Sequence, residues 1–230
     1  MADDADIGIC NPPQQRRIFV TGYRHPMVRA CAWAFLAGAG VIGPLDYFHA
    51  ATGVEDYLRK IPFTLSHAWP IHVPFQMGLI GVILVLFWTV FHGRVLIPVL
   101  GAEGRRLASL PAVVLSVAGI TGGYLAAWIL LDSPHYSSWC VLLFSLSLLS
   151  VILAGSPHQT AAFVLVALIG IWAEWLLLSP GIGYYRFARP DWFGRSSSWL
   201  LPTYGWVGLF IHELSRKALG GSLSQQGAAS

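Results

Sequence analysis

One glutamate stands out as a side chain that could do chemistry in an otherwise apolar sequence. Glu174 lies between Trp172 and Trp175, followed by three leucines. A carboxyl group inside a membrane-spanning helix costs about 2.5–3.5 kcal/mol on insertion scales, so it marks a functional position by default. Glu174 is therefore a candidate proton carrier or hydrogen-bonding group. The simpler alternative is a protonated or interfacial carboxyl that only supports packing.

The eight histidines do not follow the spacing of a known metal centre. Membrane di-iron enzymes need clustered HxxxH and HxxHH motifs, because several imidazoles must converge on two irons. The closest pair, His67 and His72, is five residues apart, which places the rings on different sides of a helix. Most histidines fall near predicted helix ends, so we expect interfacial histidines in contact with water. The sequence predicts no metal site and no cofactor.

No familiar catalytic motif appears in the chain. The sequence contains no HExxH motif, no phosphate-binding loop and no recognisable serine-histidine-aspartate arrangement. Its three cysteines form no CxxC pair, which argues against a disulfide scaffold or a zinc site. We therefore expect that the protein is not an enzyme.

The composition requires a membrane to position these residues. Of 230 residues, 55% are hydrophobic and only 11% charged, and the mean hydropathy is +0.61. Soluble domains carry about 25% charged residues. The net charge of +3 is too small and too scattered for a nucleic-acid surface, so no nucleic-acid partner is expected. A multispan membrane protein remains.

Stretches without Asp, Glu, Lys or Arg predict an all-α bundle of six transmembrane helices. A spanning helix needs roughly 20 mostly apolar residues. Residues 133–173 form an uncharged stretch too long for one helix, and the turn-forming residues 155–159 divide it. The predicted helices cover roughly residues 27–48, 70–92, 108–131, 138–155, 159–179 and 197–217.

The distribution of cations predicts the orientation. With six spans and an inner N-terminus, nine Lys and Arg residues face the cytoplasm and five face outward. The positive-inside rule therefore predicts that both termini are cytoplasmic. We expect residues 1–25 and 219–230 to be disordered cytoplasmic segments that flank a transmembrane domain of residues 26–218. The composition favours a bacterial inner membrane, with the endoplasmic reticulum as the location in a eukaryote.

Glycines inside the predicted spans permit two arrangements. Small residues let helix backbones approach closely, which is the simpler explanation for most of them. Where large neighbours are absent, they instead leave room for a lipid, and Gly119 in the third span is a candidate position. Glycine-lined faces also allow homo-oligomers, although one sequence does not define their symmetry.

Two stretches of the sequence resemble the Insig (insulin-induced gene) family of membrane proteins. One lies at the entry to the second predicted span, and the other begins after the fifth span and continues into the sixth. The matching residues are Ala68, Trp69, Val73, Pro74 and Gly78, then Tyr185, Pro190, Asp191, Trp192, Ser198, Trp199, Leu200, Pro202, Gly205 and Arg216.

The resemblance implies six spans, cytoplasmic termini and no enzymatic activity. Insig proteins bind oxysterols within the bundle and hold sterol-sensing partners in the membrane. Their sterol-contacting polar positions on the fourth span correspond to about Tyr136 and Cys140. The family's acidic residue between the fourth and fifth spans is missing, since no Asp or Glu occurs from residue 133 to 173. We therefore expect weak or no binding to a sterol-sensing protein. The sequence does not identify another membrane protein as partner.

Together these features predict a membrane protein that binds a sterol-like or diacylglycerol-like lipid in a cavity of the bundle, as a sensor or regulator. The alternatives are a transporter or membrane enzyme with Glu174 as proton carrier, and a structural interaction subunit. The candidate lipid-binding residues are Gln76, Gly119, Tyr136, Cys140 and Glu174.

Overall fold

The computed structural model describes residues 24–57, 70–101, 103, 109–179 and 185–226. Most of the chain forms long helices connected by short segments. They are α1 (Arg24–Ala37), α2 (Gly43–Thr52), α3 (Val73–Phe91), α4 (Ile97–Leu100), α5 (Ser109–Ile129), α6 (Tyr136–Ala154), α7 (Pro157–Leu177) and α8 (Leu200–Gln226).

Two π-helical turns join neighbouring helices into longer ones. Gly38–Ile42 connects α1 to α2, and His92–Leu96 connects α3 to α4. The first turn lies where the first and third helices are in close contact. A Cβ atom on Gly38 would lie 2.3 Å from the carbonyl oxygen of Met77, so only glycine permits this approach.

Five helical segments have the length and composition to cross a membrane. They are Pro26–Thr52, Val73–Leu100, Leu110–Ile129, Tyr136–Ala154 and Pro157–Leu177. Large apolar side chains such as Ile83, Val99 and Leu153 are well exposed on them, as expected for surfaces that face lipid. These five spans agree closely with the first five predicted from the sequence.

The last helix, α8, lies in the middle of the bundle. It packs against α1, α3, α5, α6 and α7, and nearly every side chain from Leu200 to Ser215 is buried. Because protein surrounds it, α8 tolerates the charged pair Glu213 and Arg216, whose side chains lie 2.7 Å apart. That α8 is a sixth span, and that both termini are cytoplasmic, stay predictions.

The ends of the chain agree only partly with the expected boundaries. Residues 1–23 and 227–230 lie outside the described part, and so does nearly all of the N-terminal segment expected to be disordered. The helix α8 continues to Gln226 and therefore includes residues 219–226 of the expected tail.

The predicted turn between the fourth and fifth spans is present and tightly built. Ser156 caps α7: its side chain accepts a hydrogen bond from the Gln159 amide at 3.2 Å, and the Gln159 side chain accepts one from the Ser156 amide at 2.7 Å. This reciprocal capping box, with Pro157 as first helical residue, fixes the start of α7.

At the other end of the bundle a short two-stranded antiparallel sheet, formed by segments far apart in the chain, covers the helices. The strand β1 (Glu55–Tyr57) pairs with β2 (Tyr185–Phe187), with Glu55 opposite Phe187 and Tyr57 opposite Tyr185. Both strands have buried residues that alternate with exposed ones. This sheet therefore places the side chains of Glu55, Tyr57 and Tyr185 against the helix ends.

Candidate functional site

Acidic side chains from three separate segments meet beneath the two-stranded sheet. Asp46 and His49 lie one turn apart on α2, Glu55 begins β1, and Glu174 lies near the end of α7. Asp46, His49 and Glu55 are 4%, 0% and 5% exposed, and Glu174 is half-buried. We call these four residues the carboxylate cluster.

Tyrosine hydroxyls supply hydrogen bonds to this cluster. Tyr57 donates to Oδ2 of Asp46 at 2.7 Å, and Tyr204 from α8 donates to Oε1 of Glu174 at 2.5 Å. Tyr185 donates to the other carboxylate oxygen of Glu174. Buried carboxylates need such charge-assisted partners, because an unpaired charge in an apolar interior is strongly unfavourable.

Within the cluster, the ring of His49 contacts both Glu55 and the aromatic core. Its Nε2 lies 2.8 Å from the backbone carbonyl of Tyr124, which can only accept, so Nε2 carries the proton. Nδ1 then faces Oε1 of Glu55 at 3.5 Å as an acceptor when the ring is neutral. The rings of Tyr124 and Trp199 pack against His49, with centroids 4.4 and 4.7 Å away.

Burial favours the neutral forms of Glu55 and Tyr185, which lie on the two strands. Desolvation raises the pKa of Glu55 well above its usual value, and the negative charges of Asp46 and Glu174 raise it further. Desolvation and the neighbouring Glu174 also raise the pKa of Tyr185. The cluster can therefore store a proton and offers both donors and acceptors to a bound hydroxyl group.

A cavity of about 820 Å³ opens beside this cluster, at the end of the bundle that the two-stranded sheet covers. An exposed ion pair lies at its rim, where the Arg186 guanidinium lies 2.8 Å from the Asp56 carboxylate. The cavity is lined by Ala50, Gly53, Glu55, Asp56, Arg186, Phe187, Ala188 and Pro190.

A smaller apolar cavity of about 560 Å³ lies at the opposite end of the bundle. It is bounded by the end of α4, the end of α6 and the first turns of α7, including Ser156 and Pro157. None of the five residues predicted to bind lipid lines either of these two cavities.

Among the predicted lipid-binding residues, Glu174 joins the carboxylate cluster. Tyr136 and Cys140 are buried one turn apart on α6, where the Tyr136 hydroxyl lies 3.1 Å from the Ser197 hydroxyl. Gln76 is half-buried on α3. The structure therefore does not gather these residues around one cavity, and their contact with lipid stays a prediction.

Gly119 serves helix packing in this structure. A Cβ atom at Gly119 would lie 2.4 Å from the ring of Trp206 on α8, so the indole occupies the space that the sequence analysis assigned to a lipid. A Phe or Trp at this position would collide with Trp206 and disturb the packing of α5 against α8.

The expectation of interfacial histidines in contact with water is wrong for four of the eight, His49 and three others. His92, His158 and His212 are 3%, 2% and 0% exposed, and they lie at the end of the bundle opposite the two-stranded sheet. His92 and His212 lie 3.9 and 3.0 Å from Glu103, and the ring of His158 packs against that of His92. The helices supply these rings from positions far apart in sequence, so motif spacing did not reveal them. We call His92, His158, His212 and Glu103 the histidine cluster.

Glu103 is the acidic member of the histidine cluster. Its Oε1 accepts hydrogen bonds from Nε2 of His212 at 3.0 Å and from the Ser156 hydroxyl at 2.9 Å. Burial alone would raise the pKa of Glu103, but these hydrogen bonds and the nearby positive charge outweigh it and lower the pKa to about 2. Glu103 is therefore a carboxylate at neutral pH.

The arrangement of these helices matches solved structures of a mycobacterial protein. The mycobacterial Insig homologue MvINS from Mycobacterium vanbaalenii superposes with a TM-score of 0.64 at 19% identity, over 84% of this chain and 95% of that one. The chain has the fold of an Insig homologue. A cross-linked trimer of MvINS matches equally, with a TM-score of 0.63 and 20% identity over the same shares of both chains.

The fold and its five apolar spans make the chain an Insig-like, integral multi-pass membrane protein. No family model matches its sequence, and no curated protein does. The relationship is therefore expressed in the helix arrangement more than in residue identity.

Besides Glu174, the sequence contains one local signal for the carboxylate cluster. Asp46 and His49 are polar residues one turn apart at the end of the first predicted span. Glu55 and Glu103 lie in connecting segments, where a charged residue normally contacts water. Only the packing of distant segments shows that these residues are buried.

Proposed function

We propose that the protein is a lipid-binding membrane protein of Insig type that holds a neutral lipid by its hydroxyl head group at the carboxylate cluster. The supporting observation is the cavity of about 820 Å³ that shares Glu55 with this cluster. It lies at an end of the spans, where the head-group layer of a bilayer meets the protein. The acyl or ring portion of the ligand would extend along the apolar helices.

The chemistry of the cluster favours a hydroxyl over a phosphate. The carboxylates of Asp46 and Glu174 repel an anionic head group, and the nearby cation, Arg186, is already paired with Asp56. A hydroxyl can donate to a carboxylate and accept from a tyrosine. Sterol-like and diacylglycerol-like lipids meet this requirement, whereas phosphatidic acid does not.

Affinity in this site must come from the head group and from shape. Transfer of an acyl chain from bilayer to protein gains little, because about 0.8 kcal/mol per CH₂ applies only to transfer from water. Gln76, Tyr136, Cys140 and Glu174 remain proposed lipid contacts, with Gln76 and Tyr136 along the chain portion. We propose a role as sensor or regulator in a bacterial inner membrane, without catalysis.

We further propose that the protein forms a homo-oligomer, with the trimer of MvINS as its template.

The turn at residues 155–159 forms hydrogen bonds within the chain, since Ser156 donates to Glu103 and Gln159 donates to Glu213 at 2.8 Å. It therefore offers no acidic group to a partner. We expect no stable complex with a eukaryotic sterol-sensing protein.

Mass spectrometry of lipids extracted from the purified protein tests the lipid proposal. We expect a neutral, hydroxyl-bearing lipid at about one copy per chain in the wild type, and a reduced amount after Glu174→Leu. A protein that purifies free of lipid, with a folded helical core, would contradict the proposal and support the interaction-subunit alternative.

The buried carboxylates also support a second candidate function, proton-coupled transport. Oε1 of Glu55 lies 3.5 Å from Nδ1 of His49, and the negative charges of Asp46 and Glu174 act on the same carboxyl group. Glu174→Gln separates the two functions, since an amide keeps hydrogen bonding but carries no proton. Retained lipid binding in this variant supports the lipid proposal, whereas loss of a proton flux measured in proteoliposomes supports transport.

A further inference from the structure

The histidine cluster combines side chains from four distant segments at the end of the bundle opposite the two-stranded sheet. His92 comes from the π-helical turn after α3, Glu103 follows α4, His158 lies in the first turn of α7, and His212 lies in the middle of α8. The ring centroid of His92 lies 5.1 Å from that of His158 and 5.0 Å from that of His212.

Buried ligand atoms in this cluster lack hydrogen-bond partners. Within the described part of the chain, both ring nitrogens of His92 lack such a partner, and so does Oε2 of Glu103. A neutral imidazole always offers one donor and one acceptor, and leaving both unpaired inside a protein is unfavourable. Since Glu103 is 11% exposed and His92 only 3%, bulk water does not satisfy them.

The proton on His212 is fixed by Trp88. The indole N–H of Trp88 can only donate, and it lies 3.2 Å from Nδ1 of His212. Nδ1 is therefore the acceptor, and Nε2 carries the proton that it donates to Oε1 of Glu103 at 3.0 Å. His212 has no free lone pair for a cation and acts instead on the carboxylate.

Together with Ser156, His212 fixes the orientation of Glu103. Both donors bind the same oxygen, Oε1, and this leaves Oε2 directed toward Nε2 of His92 at 3.9 Å. Zinc bonds of about 2.0–2.2 Å to N and O ligands place neighbouring ligand atoms about 3.3–3.6 Å apart in a tetrahedral site. A shift of a few tenths of an ångström would bring the two atoms to this distance.

We propose that the histidine cluster binds a divalent transition-metal ion such as Zn²⁺ through Glu103 and His92, with His158 as the third ligand because its ring packs against that of His92. His212 and Ser156 are positioning residues, which hold the ligating carboxylate through its other oxygen as is usual around protein-bound metals. Imidazole and carboxylate together suit zinc, iron or nickel better than calcium or magnesium, which prefer oxygen ligands alone.

A bound ion would connect segments that the sequence leaves far apart. Glu103 belongs to the connection between the second and third spans, while the rings lie on three helices. The metal would therefore tie this connection to the π-helical turn after α3 and to α7, independently of the lipid proposed at the other end of the bundle. The proposal does not rest on lipid binding, and lipid-free protein would leave it intact.

Calorimetric titration of the full-length protein in detergent with Zn²⁺, after treatment with a chelator, tests the site. We expect saturable binding of one ion per chain, and an affinity at least about tenfold lower in both His92→Ala and Glu103→Gln. His212→Gln should also weaken binding by about 10–100-fold while the stoichiometry stays at one, as expected for a positioning residue. The matched control is His135→Ala, which changes an exposed histidine just before α6. This variant should bind Zn²⁺ like the wild type.

Thermal unfolding of the same proteins gives a second measurement. Zn²⁺ should raise the Tm of the wild type and of His135→Ala, and leave that of Glu103→Gln unchanged, because only ligand-competent folded protein gains free energy from the ion. Glu103→Gln preserves side-chain shape, so it serves if His92→Ala does not fold. Absence of one-to-one binding in the wild type, or unchanged binding in both ligand variants, would overturn the proposal.

Discussion

The carboxylate cluster and the histidine cluster are both buried, yet they satisfy their polar atoms differently. In the first, tyrosines donate to Asp46 and Glu174, while Nδ1 of His49 and Oε2 of Glu55 lack a partner within the described residues. In the second, two donors share one oxygen of Glu103, and the nitrogens of His92 are left unpaired within the described residues. The first suits a ligand that exchanges hydrogen bonds with hydroxyls, and the second suits a ligand that accepts lone pairs.

One helix supports both clusters, and this makes the comparison testable. α8 provides Tyr204 to the carboxylate cluster and His212 to the histidine cluster, with Trp206 between them. Trp206 packs over Gly119 of α5. Displacement of α8 at this contact should therefore disturb both clusters, whereas changes within one cluster should leave the other unaffected.

We expect the largest effect from Gly119→Phe. Overpacking of a well-filled core typically costs about 1–3 kcal/mol, and here the first added carbon already collides with Trp206. Gly122→Phe on the same helix is the control, because no atom lies within 4 Å of a Cβ there. Thermal unfolding in detergent should show a clear loss of Tm for Gly119→Phe only. Equal Tm values for the two variants would contradict the packing that joins the clusters.

A smaller effect is expected from Tyr204→Phe, which removes one donor to Glu174. Leaving a buried acceptor unsatisfied costs about 1–3 kcal/mol. In a Glu174→Leu background the same change should have little effect, since the acceptor is gone. Chemical or thermal unfolding of the four proteins measures this coupling. Zn²⁺ binding at the histidine cluster should not change in Tyr204→Phe, and a change there would show that the clusters are not independent.

The mildest change, Glu55→Gln, should alter the pH dependence of stability. The folded state holds a proton on Glu55 at pH values where the unfolded carboxyl, with a pKa of about 4.3, has lost it. The contribution of Glu55 is therefore complete below about pH 4 and decreases as the pH rises. Glu55→Gln removes this decrease, so its Tm should vary less from about pH 5 to 8. Parallel Tm profiles for wild type and variant would show that Glu55 ionises normally.

The difference between the clusters also shows what the sequence could predict. Apolar stretches and the turn formers at residues 155–159 gave the first five helices closely, because helix length and turn chemistry are local properties. The central position of α8 depends on contacts with five other helices. No local pattern distinguishes such a helix from one that faces lipid.

Individual site residues follow the same division. Glu174 was predictable because a single charge within an apolar span is a strong local signal. His92, His158 and His212 were assigned to the interface, since each lies near a helix end or within a mixed segment when considered alone. Their burial comes from the convergence of three helices and the connection that carries Glu103.

The central claim is that the carboxylate cluster selects lipids by an uncharged hydroxyl head group. Native mass spectrometry with diacylglycerol and phosphatidic acid of identical acyl chains tests it most directly, because the two ligands differ only in the phosphate. We predict that diacylglycerol binds at one copy per chain and at least about tenfold more tightly, a difference of about 1.4 kcal/mol. Equal binding of the two lipids, or a preference for phosphatidic acid, would contradict the account.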